Sequence, residues 1–64
     1  METIIRGALV TITEANRGDK TRIEWITQIE DIEIGGYALV DNEDLEEARE
    51  LINNEAKSYI EEYL

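Results

Sequence analysis

The sequence predicts an α+β domain: an antiparallel β-meander of three strands, with four as the alternative, and one long C-terminal helix packed across a single face. Three observations carry this. β-Branched residues alternate with polar ones through residues 1–40, as a half-buried strand requires. The alternating runs are separated by short turn clusters, too short for the crossovers that parallel strands need. From Asp41 onward the apolar residues change to the three- and four-residue steps of an amphipathic helix. The 64 residues form a single domain, with the meander in 1–40 and the helix in 41–64.

Thr3 to Thr13 reads as the first strand, with Ile4, Ala8, Val10 and Ile12 on one face. Gly7 interrupts it, and a glycine inside a strand marks a bulge or a close backbone approach. Glu14 to Lys20 collects turn residues and predicts a hairpin. The second strand, Thr21 to about Ile29, places Ile23, Trp25 and Ile29 on one face, with Ile26 the exception on the polar side. After Ile29 the parity changes, which a bulge or turn at Glu30 and Asp31 accounts for. Gly35 and Gly36 then form either a tight turn between short strands or an irregularity in one third strand that ends at Val40. Asp41 or Asn42 caps the helix, and Leu45, Ala48, Ile52, Ala56, Tyr59 and Tyr63 form its apolar stripe. The expected core is Ala8, Val10, Ile12, Ile23, Trp25, Ile32, Ile34, Leu39, Leu45, Ala48, Ile52, Ala56 and Tyr59.

Composition narrows the function. With neither cysteine nor histidine, the chain lacks the usual zinc and iron ligand sets, the thiol nucleophile and the common neutral-pH base. No metal, cofactor or catalytic residue is therefore expected, and the protein is read as a non-enzyme. The N-terminal apolar run is too short for a signal peptide, and nothing approaches the ~18 apolar residues of a membrane span. A cytoplasmic protein is expected. The net charge of -10 repels nucleic acid and anionic membranes and attracts basic surfaces. The charge is also asymmetric. Residues 1–23 hold Arg6, Arg17, Lys20 and Arg22 against Glu2, Glu14 and Asp19, whereas residues 24–64 hold 13 acids against Arg49 and Lys57.

Of the motifs that chemistry could use, none reaches a site. Paired carboxylates are plentiful but fall on polar faces and loops, where no apolar cleft would displace a pKa for acid–base work. Counting an EF-hand loop from Asp41 puts Leu45 at a ligand position and Glu46 where the glycine belongs. Arg17-Gly18-Asp19 is an RGD tripeptide at a predicted hairpin tip, and the same residues are ordinary turn formers.

The acidic helix face carries physical tension. Glu43 with Glu47, and Glu46 with Glu50, are like-charge pairs that each cost ~0.2–0.5 kcal/mol. Acids near the helix N-terminus are favoured by the macrodipole, but Glu61 and Glu62 stand in the last turn, where the dipole disfavours them. Carboxylates one turn apart, ~5.4 Å, have a spacing comparable with successive phosphates on a nucleic-acid strand. The candidate partner-binding residues are Glu30, Asp31, Glu33, Glu43, Glu46, Glu47, Glu50, Glu61 and Glu62.

In size, layout and these acidic rows the chain resembles the nucleic-acid-mimicking inhibitors encoded by phages and mobile elements, the anti-CRISPR proteins among them. The resemblance implies an inhibitor that blocks a basic, nucleic-acid-binding surface of a partner protein in the host cytoplasm, without binding nucleic acid itself. Arg17, Lys20 and Arg22 depart from a uniformly acidic mimic. The alternative expectation is a structural or interaction module, such as a homodimeric subunit, whose charge solubilises it; Ile5, Leu9, Leu51, Ile60 and Leu64 are the apolar residues left over for such an interface.

Overall fold

A computed structural model describes residues Met1–Leu64. Its elements are β1 (Glu2–Ile5), β2 (Ala8–Arg17), β3 (Lys20–Ile29), β4 (Ile32–Asp41), a 3-10 turn (Asn42–Asp44) and α1 (Leu45–Tyr63). The strands form one antiparallel sheet in the order β1-β2-β3-β4, and α1 lies across one face. The α+β layout is as expected, and the meander has four strands.

The extra strand arises at Gly7, where the sequence suggested only an interruption. Ile5 pairs with Ala8, and the two residues between them, Arg6 and Gly7, take positive φ values of 50° and 83°. That is the backbone of a type I′ turn, whose twist matches the strands it joins. The turn also shifts parity. Thr3 and Ile5 come to the helix side and Ile4 goes to the other, because a one-residue change moves a strand's whole side-chain set across the sheet.

Gly35 and Gly36 are neither a turn nor a bulge. β4 runs without interruption alongside β3 from Ile32 opposite Ile29 to Asp41 opposite Lys20. The glycines are needed for space: a Cβ on Gly35 would lie 2.6 Å from the Trp25 carbonyl oxygen, and one on Gly36 would lie 2.9 Å from Trp25 Nε1. The expected turn at Glu30 and Asp31 is present, with Glu30 at φ 55°. Such a backbone is uncommon for a residue with a side chain.

The core is one layer between sheet and helix. Val10, Ile12, Ile23, Trp25, Ile52, Ala56 and Ile60 form its buried cluster, and each large apolar side chain buried there contributes ~1.5–3 kcal/mol. Ala48, Ile52, Ala56 and Ile60 are the buried residues of α1, and their four-residue steps define its inner edge. Ile60, expected off the stripe, is fully buried, while Tyr59, expected in the core, is 47% exposed. Tyr59 instead leans on Trp25, with ring centroids 5.8 Å apart. Ile32 and Leu39 are also exposed rather than core. Leu39 has the outward parity of β4. Ile32 has the inward parity but is 47% exposed, standing on the edge strand at the end of the β3–β4 hairpin.

Thr21 and Thr27 complete the inward face of β3 and are buried. Each hydroxyl is satisfied: Thr27 Oγ1 donates to the Leu9 carbonyl at 2.7 Å and Thr21 Oγ1 to Asn42 Oδ1 at 2.6 Å. Asn42 in turn donates through Nδ2 to the Gly18 carbonyl at 2.9 Å. It is thus a clasp between the β2–β3 turn and the helix entry, and no side chain caps α1. No helix is long and apolar enough to cross a membrane.

Candidate functional surface

The helix fixes the position of most candidate acids. At 100° per residue, Glu46, Glu47, Glu50 and Glu61 fall on the side of α1 opposite Ala48, Ile52 and Ala56, so they point away from the sheet; Glu43 precedes them in the 3-10 turn, and all five are exposed. From Glu43 to Glu61 this ridge extends ~27 Å along the axis at 1.5 Å per residue. Lys57 stands within it and offsets part of the charge near the C-terminal end.

The other candidates are distributed differently. Glu30 and Asp31 occupy the β3–β4 turn, which lies at the C-terminal end of α1, where Glu30 and Leu64 border one hollow. That end therefore gathers Glu30, Asp31, Glu61, Glu62 and the terminal carboxylate. Glu33 is not part of either group. It pairs across the sheet with Gln28 and projects from the face opposite the helix.

Ion pairing sharpens the contrast between basic and acidic residues. Four of the six basic residues are engaged: Arg6 with Glu61 at 3.6 Å, Lys20 with Asp41 at 2.6 Å, Arg22 with Glu24 at 3.4 Å, and Arg49 with Glu14 at 2.7 Å. Arg22 also stacks over the Tyr37 ring, 4.4 Å from its centroid. Of the nine candidate acids, only Glu61 has a basic partner within reach. The bases of the β2–β3 hairpin, which departed from the acidic pattern, are thus largely neutralised: Lys20 by Asp41 and Arg22 by Glu24.

The Arg49–Glu14 pair ties the helix to β2 through two hydrogen bonds, Nε to Oε2 at 2.7 Å and Nη2 to Oε1 at 2.9 Å. The hydrogen bond from Arg49 holds the Glu14 carboxyl below its ordinary value. The Asp41 carboxylate likewise raises the Lys20 ammonium above its ordinary value. Glu55 has a structural role that sequence spacing did not suggest: it accepts a hydrogen bond from Trp25 Nε1 at 3.3 Å. Its place one position before the stripe residue Ala56 was the only signal the sequence offered.

The face of the sheet away from α1 is uncovered. Alternation places Ile4, Leu9, Ile26, Tyr37 and Leu39 on it, and all are exposed. Only Leu9 of these belongs to the leftover set expected to mark an interface. Ile60 and Ile5 pack against the core, while Leu51 is on the helix flank and Leu64 at the helix end, so that set forms no single patch. No three acidic side chains converge closely enough to hold a metal ion. No family model, curated protein or solved structure matches the chain.

Proposed function

We propose that this chain is a non-catalytic acidic binding protein whose helix ridge occupies a basic, nucleic-acid-binding surface of a partner protein in the cytoplasm, in the manner of the DNA-mimicking and anti-CRISPR inhibitors it resembles. One observation carries the reading: Glu43, Glu46, Glu47 and Glu50 are exposed on a rigid ridge without a basic partner, while most of the chain's own cations are engaged elsewhere. A basic channel gains affinity for nucleic acid by exchanging counterions for phosphate contacts. Fixed carboxylates compete for the same lysines and arginines without the flexibility cost of a mobile acidic tail.

The test is capture of partners from a host lysate at low and high salt, followed by competition with duplex DNA for the captured protein. The expected partner is basic, is lost at high salt, and is displaced by DNA. Reversal of Glu43, Glu47 and Glu50 to lysine should weaken capture while leaving the fluorescence of Trp25 unchanged. Capture indifferent to these reversals would refute the reading. A second reading, a homodimeric interaction module, is favoured by the uncovered apolar face bearing Ile4, Leu9, Ile26, Tyr37 and Leu39. Sedimentation at two concentrations separates them, since only the module changes mass.

A further inference from the structure

The four-stranded sheet has two free edges, and they differ. β1 is only 4 residues long, whereas β4 is 10 residues long. β4 contains no proline, lysine or bulge, three of the devices that guard an open edge, and its charged residues, Glu33 and Asp41, stand near its two ends.

Its hydrogen-bonding parity follows from the turn. Ile29 and Ile32 flank a two-residue hairpin loop and so form a hydrogen-bonded pair, after which alternate residues of β4 bond to β3. The bond from the Asn42 amide to the Asp19 carbonyl, 2.9 Å, continues that parity. The amides and carbonyls of Glu33, Gly35, Tyr37 and Leu39 therefore point outward, a template for one more strand.

The surroundings of this edge select its occupant. Above it stands the near flank of α1. Glu55 is anchored there, its carboxylate oxygens 3.5 Å from where a Gly36 Cβ would be, and Asp44, Glu47 and Leu51 precede it in three- and four-residue steps that keep them on the same flank. The Glu47-to-Glu55 distance along the axis, ~12 Å, is close to two same-face steps of an added strand, ~13–14 Å. Below the edge, Tyr37 and Leu39 are 68% and 59% exposed. An added strand thus meets carboxylates with one set of side chains and apolar surface with the other.

Resting on the acidic-binder reading above, we propose that the β4 edge docks an extended segment of the partner in which lysine or arginine alternates with apolar residues, adding it as a fifth strand. Backbone hydrogen bonds align the segment, and its charges face Asp44, Glu47 and Glu55. This mode engages the strand edge rather than the outer helix ridge, and the two share only Glu47, which stands at the border between ridge and flank.

The experiment uses the full chain, isotopically labelled, and two peptides of equal charge: one alternating lysine with valine, the other alternating lysine with proline, which cannot add as a strand. Only the lysine–valine peptide should protect the Gly35, Tyr37 and Leu39 amides from hydrogen exchange, while Ala38, already bonded to β3, is unaffected. A synthetic chain with an N-methyl group on Leu39 should bind that peptide roughly tenfold less tightly, the loss of about one hydrogen-bonded contact. Equal, salt-sensitive binding of both peptides would overturn edge docking and leave the acidic-binder reading standing. Failure of both to bind at low salt would overturn the two together. Protection of the same three amides without peptide, rising with protein concentration, would assign the edge to a second copy and overturn the basic occupant.

Discussion

Gly36→Ala should destabilise the domain, although alanine is ordinarily the better strand residue. The added methyl would lie 2.9 Å from Trp25 Nε1, against the ~3.5–4.0 Å of an unstrained contact. The indole must therefore retreat by more than half an ångström. It has little freedom to do so, being 2% exposed, hydrogen-bonded to Glu55 and packed against Tyr59. Overpacking of this kind costs ~1–3 kcal/mol, and replacing glycine in a strand returns ~0.5–1 kcal/mol. The net loss lies between about 0 and 2.5 kcal/mol by these figures, with its centre at about 1 kcal/mol. With a urea dependence near 1 kcal/mol/M for so small a chain, the midpoint should fall by roughly 1 M. The single tryptophan reports both the transition and any change in its native environment. An unchanged or raised midpoint with an unchanged emission maximum would refute the close-approach account of the double glycine.

Ile60→Ala should cost ~2–5 kcal/mol, a large share of the total for a domain of this size, while Tyr63→Ala at an exposed position should cost far less; parallel urea titrations would check the ordering. Arg6→Asn should stabilise the type I′ turn by about 1 kcal/mol, because asparagine tolerates positive φ and Asn-Gly is the preferred pair there; the exposed Arg6–Glu61 pair that it removes offsets only part of this, so the thermal midpoint should rise. The depressed Glu14 carboxyl gives a pH dependence of definite sign: its contribution is full above the ordinary value of 4.5 and is lost as pH falls through the lower folded value. Glu14→Gln should flatten that acid limb of the stability profile, and Arg49→Met should do the same.

Periodicity made much of the architecture legible. The alternation in β3, the helical steps from Leu45 and the turn residues at Gly18-Asp19 and Glu30-Asp31 all follow from local rules, and they suffice for an antiparallel sheet with one helix. The Arg6-Gly7 turn was hidden because arginine is not a residue that favours positive φ. Without that turn, simple alternation exchanges the faces of Ile4 and Ile5. The helical run begins at Asn42, with Asp41 in the N-cap position, as local rules indicate, but neither side chain caps it: Asp41 pairs with Lys20, and Asn42 is occupied by Gly18 and Thr21.

By itself the sequence determined the fold class, the buried role of Trp25 and the acidic outer surface of the helix, because each depends on the period and composition of a contiguous segment. Only the tertiary structure decided which acids are neighbours. Helix direction and strand order bring Glu30 to the end of α1 and put Glu33 on the opposite side of the sheet. They also decided that Glu55 anchors the tryptophan, that Lys20 is paired by Asp41 from a distant segment, and that β4 is a long open edge. These features depend on contacts between residues far apart in the chain, and the spacing within any one segment carries no record of them.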